Sequence, residues 1–174
     1  MPTFWTNPTT VTQYAETGAE DAHIFWDTEN NFNEIKFNDN RNIVTNKPLY
    51  HISRSPKTDL TTKTYFIRAT GYSFLNVPTT ISGIELKLTG NRSGRITDDT
   101  ISLCLNGENI GDNKATLNLD PIKFYGSSTD KWNTTLTPTD VLNSTFGVVV
   151  RFKSHPNWPH MVGAYLNSLE LLIY

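Results

Sequence analysis

Residues 81–88 read Ile-Ser-Gly-Ile-Glu-Leu-Lys-Leu, and in the second half Ile84, Leu86 and Leu88 alternate with Glu85 and Lys87. A period of two places the apolar side chains on one face and the charged ones on the other, which is the pattern of a half-buried strand. The same reading extends along the chain. Ile101-Ser102-Leu103-Cys104-Leu105 repeats the alternation and puts Cys104 on the less buried face. Asn106-Gly107 follows, a pair suited to the positive φ of a two-residue hairpin turn, and residues 108–111 start the return. The run Phe146-Gly147-Val148-Val149-Val150-Arg151-Phe152 is almost continuously apolar and reads as a central strand. Residues 164–174 are long enough to run the length of a sheet, and an earlier strand is expected over residues 64–74, ended by Asn76 and Pro78.

Composition points the same way. Of 174 residues, 25 are Thr and 18 are Asn, so strand formers and turn formers together outweigh good helix formers. Only Thr137-Pro138-Thr139-Asp140-Val141-Leu142 reads as helical: Thr137 caps, Pro138 fits the first helical position, and Asp140 stands where a capping box wants an acid. Gaps of about ten to twenty residues between strands are too short for a helical crossover each time. The expected fold is all-β: a two-sheet β-sandwich with jelly-roll or Greek-key topology and at most one short helix. Residues 1–174 are read as a single domain, with 1–60 an irregular region of short strands and loops anchored by Phe25, Trp26, Phe32 and Phe37.

Charge excludes several functions. With 15 basic and 17 acidic side chains the formal net charge is −2, which gives no basis for binding nucleic acid by phosphate neutralisation or for a polybasic membrane contact. No apolar run approaches the roughly 18 residues of a spanning helix, and the start MPTFWTNPTT lacks a signal pattern, so a soluble chain is expected. One cysteine, Cys104, cannot staple the fold.

Catalytic and metal signatures are weak. His155 and His160 share a loop with two prolines, which denies them the helical spacing of a zinc site; His23 and His51 are scattered. Adjacent residues on a strand point to opposite faces, which denies Asp98 and Asp99 a shared catalytic role there, so they are expected as a turn before the 100–105 strand; with Asn91 they offer oxygen ligands without a calcium-binding register. Neither a nucleophile elbow nor a phosphate loop occurs. No catalytic, cofactor-binding or metal-binding residue is assigned. Among the four tryptophans, Trp158 stands between prolines, where its ring could stack on a sugar; Trp158, His155 and His160 are the candidate contacts to a glycan or partner. Trp132 is expected to close one end of the sandwich.

A resemblance enters at Tyr125-Gly126-Ser127-Ser128-Thr129-Asp130-Lys131-Trp132, followed by Leu136-Thr137-Pro138-Thr139-Asp140-Val141 and Phe146-Gly147-Val148. This resembles a module of tailed-bacteriophage virion proteins in which a YGG-x-x-D-x-W-G segment precedes L-T-P-x-D-V and F-G-V. Residues 81–86 are similar to its I-x-G-I-x-V strand, 95–103 to its I-x-D-x-x-V-x-L segment, 110–115 to its I-G-x-N-x-A return and 164–174 to its terminal A-Y-V-D strand. The likeness spans roughly residues 65–174. Ser127, Asn133 and Asn167 depart from it, and the two lost glycines bear on the turn around Trp132.

The resemblance implies a jelly-roll-like, non-enzymatic structural protein of the virion, in a head-decoration or tail-accessory position. Its partners would be other virion proteins and further copies of itself, without nucleic acid, membrane or cofactor. The N-terminal region is the expected docking surface, to be tested by deleting residues 1–20. A glycan-binding receptor module of a fibre or tail, meeting a host-surface glycan through the 154–160 loop, is the alternative.

Overall fold

In a computed structural model the described residues are 1–16, 26, 43–44, 51–54, 58–61, 63–90, 96–117, 120–154 and 164–174; of 43–44, 51–54 and 58–61 only the backbone is described. The chain is all-β, with two antiparallel sheets stacked face to face. Its strands are β1 (Thr10–Tyr14), β2 (Ile43–Val44), β3 (His51–Arg54), β4 (Thr58–Thr61), β5 (Phe66–Thr70), β6 (Ile84–Thr89), β7 (Ile96–Leu105), β8 (Glu108–Ile110), β9 (Ile122–Ser127), β10 (Gly147–Ser154), β11 (Tyr165–Leu166) and β12 (Ser168–Ile173). The first sheet runs β1-β5-β10-β7-β8 and the second β12-β6-β9, with β2–β11 and β3–β4 as separate two-stranded ladders.

Alternation fixes which side chains enter the core. Val11, Ala69, Val148 and Leu103 form one cross-strand row of the first sheet. Leu171, Leu86 and Tyr125 form a row of the second. All seven are buried and belong to one apolar cluster, so a register slip of one residue in any of these strands would turn a row to water. Burial of each aliphatic side chain contributes about 1.5–3 kcal/mol, and the rows together stabilise the face-to-face packing.

The winding is that of a jelly roll. Residues 3–6 lie along the edge of β12 that β6 leaves open, through Thr3 N–H to Ile173 O (2.8 Å) and a reciprocal pair between Thr6 and Leu171 (2.9 Å each). From there the chain enters the first sheet as β1, and the later links β5 to β6, β6 to β7, β8 to β9, β9 to β10 and β10 to β12 each change sheet. Strand β10 inserts between β5 and β7, and β12 inserts between residues 3–6 and β6. Nested insertion of late strands between early ones is the double Greek key of that architecture.

Local chemistry follows the expected signals at several points. Asn106 and Gly107 have φ of 53° and 87°, the two positive values that a tight hairpin turn between β7 and β8 requires. The helix α1 (Pro138–Val141) opens on Thr137, whose hydroxyl accepts from Asp140 N–H while the Asp140 carboxylate accepts from Thr137 N–H, a complete capping box. Trp132 is fully buried and its indole N–H donates to Ile84 O, at the first residue of β6, at 2.9 Å.

Other expectations are corrected. Asp98 and Asp99 are inside β7, not in a turn before it; pairing with β10 shifts register between Arg151 and Phe152, so Asp99 is the extra residue of a bulge. Within the strand Asp98 turns toward Lys123 of the other sheet and Asp99 toward Arg151 and Lys63. Residues 164–174 are not one strand: the chain breaks at Asn167, whose N–H bonds Thr89 O, and β11 pairs with β2 instead of continuing β12. Strand β5 is shorter than residues 64–74, because the chain leaves the sheet after Thr70 and drops Tyr72 and Phe74 into the core as a stacked pair 5.8 Å apart. Cys104 faces away from the sandwich core yet is fully buried, as is its neighbour Val149, so the outer face of the first sheet is not the open face that alternation alone implies.

Candidate functional site

Strand β9, Ile-Lys-Phe-Tyr-Gly-Ser, runs in the opposite phase to its sequence. Ile122 and Phe124 are 50% and 56% exposed, while Lys123 is buried beside Tyr125. The inversion has a local cause. Lys123 Nζ donates to Asp98 Oδ2 (2.9 Å) and Tyr125 OH donates to the same oxygen (2.8 Å), while Thr116 donates to it through N–H (3.1 Å). A carboxylate from β7 in the first sheet therefore holds two side chains of β9 in the second. Paired and hydrogen-bonded in this way, the two charges can stay between the layers.

The consequence is an apolar outer face on the second sheet. Trp5, from the N-terminal segment, reaches over that face to Phe124, with ring centroids 6.0 Å apart and planes at 57°. Phe4, its neighbour in the sequence, is 76% exposed. On that face Lys87 pairs with Glu170 at 3.1 Å, and the Glu85 carboxylate accepts a hydrogen bond from Tyr174 OH at 2.9 Å. This face offers aromatic and aliphatic surface with its carboxylates held by an ion pair and a hydrogen bond, a composition suited to protein contact.

The resemblance-bearing segment around Trp132 is built as a rigid corner beside this face. Asp130 Oδ1 accepts from Trp132 N–H (2.8 Å), Lys114 pairs with Asp130 (2.7 Å), and Lys114 stands 5.7 Å from the Trp132 ring centroid. Burial alone would raise the Asp130 pKa, but the Lys114 ammonium and the Trp132 amide hold it below the ordinary carboxylate range. Gly126 adopts φ +83°, where a Cβ would collide with Ile84 O and Trp132 Nε1, so this glycine is needed. Asn133, standing where the similar module has glycine, takes φ +53°, a left-handed value that asparagine tolerates.

On the outer side of the first sheet, Asp99 faces three cations. Arg151 contacts it at 2.6 Å, Lys63 at 3.3 Å and Lys153 at 3.6 Å, and Arg151 also meets Glu16 at 2.8 Å. Burial would raise the Asp99 pKa, but Arg151 and Lys63 hold it below its ordinary value. Asp98 and Asp99 are thus both engaged by lysine or arginine and are not arranged to share a calcium ion; among the described residues no cluster of His, Cys, Asp and Glu is grouped for a metal. Trp158, His155 and His160, with Asn91, lie outside the described residues. Sequence reasoning did not find Ile122 and Phe124, since their periodicity alone reads as core; the signal was the lysine and tyrosine interleaved with them.

Comparison with family models, with curated proteins and with solved structures finds no match to this chain.

Proposed function

We propose that this chain is a non-enzymatic structural protein of a tailed-phage virion, a head-decoration or tail-accessory subunit that packs against other virion proteins and against copies of itself. The observation that carries the reading is the inverted strand β9. It leaves Ile122 and Phe124 in water, Phe124 beside Trp5, while a lysine occupies the core position. Large apolar side chains gathered on one sheet face do not help the monomer fold, and covering them in an assembly would recover about 1.5–3 kcal/mol for each one fully buried. The jelly roll suits such a role, because its chain ends and sheets are interlocked by non-local pairing. The resemblance supplies the virion part of the proposal, and the residues that carry it build the Trp132 corner beside this face.

The test is to purify particles of the phage or prophage whose genome carries the gene and to count this chain by quantitative mass spectrometry. Retention at a fixed copy number through a density gradient is expected, and it should be lost in a Phe4→Ser/Phe124→Ser double variant. Absence of the chain from purified particles would refute the proposal.

A further inference from the structure

On the opposite side of the molecule a cleft of about 480 Å³ opens between the end of β1 and the β7–β8 turn. Tyr14, Glu16, Phe66, Arg68, Glu108 and Asn109 are among the residues that line it. We propose that this cleft binds a neutral saccharide unit, a role separate from the assembly reading and from the 154–160 loop.

The cleft is built around Arg68. Its guanidinium lies 4.6 Å from the Tyr14 ring centroid and donates to Gly107 O at 2.6 Å and to Tyr14 OH at 3.3 Å. No carboxylate pairs with it among the described residues. Its Nε is buried with no hydrogen-bond partner, a cost of about 1–3 kcal/mol for which the fold gains nothing visible. An arginine pinned through one terminal nitrogen, stacked on an aromatic ring and lining an open cleft without a carboxylate partner among the described residues has a fixed guanidinium to present there. Tyr14 is fixed in turn by stacking on Phe66, centroids 5.0 Å apart at 17°, and Arg151 stands 4.0 Å from the Phe66 ring centroid.

Charge decides the ligand class. Arg68 brings one positive charge and Glu108 one negative, while Glu16 is engaged by Arg151. The lining is therefore near neutral and would repel a polyanion at Glu108. Adjacent sugar hydroxyls each donate and accept, so a guanidinium and a carboxylate facing one cleft can each take a pair of them. The edges of Tyr14 and Phe66 supply apolar surface for the C–H groups of a ring. The volume lies within the roughly 300–1,000 Å³ of small-ligand sites.

The experiment is to apply the full chain to an array of neutral and acidic bacterial polysaccharide fragments, and to titrate the strongest neutral binder by calorimetry. Binding to a neutral glycan is expected, weakened at least tenfold in Glu108→Gln and in Arg68→Met. Glu108 is exposed at the start of β8, so E108Q should melt with the parent and carry the test if R68M fails to fold. Retention of no glycan, of acidic glycans only, or an affinity unchanged in E108Q would overturn the assignment.

Discussion

Lys123 Nζ stands 2.9 Å from Asp98 Oδ2 across the gap between the two sheets, with the two side chains 3% and 0% exposed. A pair sealed this well is expensive to break from one side, because the remaining charge has no water to turn to. Lys123→Met should cost about 3–5 kcal/mol, read as a lower urea midpoint at unchanged slope. The double change Asp98→Leu/Lys123→Met removes both charges and should recover at least half of that loss. A double variant as unstable as the single one would mean that the pair's geometry, and not its charge balance, holds the sheets together.

Acid should weaken the molecule through Asp99. Its folded-state pKa is depressed by Arg151 and Lys63 against the opposing effect of burial. A depressed carboxylate contributes stability that is fully present above its unfolded value of about 3.9 and is lost as pH falls through the folded value. Melting temperature should therefore drop as pH falls below about 4. Asp99→Asn should lower the neutral-pH plateau, since it leaves Lys63, Arg151 and Lys153 facing one another, and should flatten the acid limb. An acid limb as steep in D99N as in the parent would assign the transition to other carboxylates.

Cys104 should be silent in the native state. Burial pushes its thiol up to about 11, against the pull of nearby Arg68, and the side chain is fully covered. A thiol-specific reagent at about pH 8 meets neither thiolate nor access, so labelling should proceed only at the rate of opening and become complete in denaturant. Prompt stoichiometric labelling of the folded chain would show that the outer face of the first sheet is uncovered.

How much of this could be read from the sequence depended on what set each strand's phase. Where apolar residues alternated with charges, as in Ile84, Leu86 and Leu88, periodicity alone placed them correctly, and the continuous run at residues 147–152 marked the central strand. The turn at Asn106-Gly107 and the capping box at Thr137 and Asp140 were legible because backbone chemistry there is local. Strand β9 was not, since its phase is set by a carboxylate 25 residues earlier on the other sheet. Nor could alternation tell that Cys104 and Val149 are covered on a face that it marks as outer. The Asp98-Asp99 bulge hid for a related reason: paired acids read as a turn unless the cations that neutralise them, Lys123 for one and Arg151 for the other, are known to be adjacent.

The N-terminal segment separates folding from docking, which deletion of residues 1–20 would confuse. Residues 3–6 close the edge of β12 with three backbone bonds and one from Ile173 N–H to the Thr3 hydroxyl at 3.0 Å, and residues 10–14 are β1 itself. Removing residues 1–6 strips four hydrogen bonds worth about 0.5–1.5 kcal/mol each and uncovers a sheet edge, so it should lower the melting temperature and promote aggregation. Phe4 and Phe124 contribute little to the monomer, being 76% and 56% exposed. Changing either to serine should keep stability within about 0.5–1 kcal/mol of the parent, as exposed positions do, while abolishing retention on the particle. Thermal melts set beside particle incorporation discriminate the two roles: a large melting loss in Phe4→Ser would make that ring part of the fold, and full incorporation of a stable Phe4→Ser/Phe124→Ser chain would remove this face from the assembly.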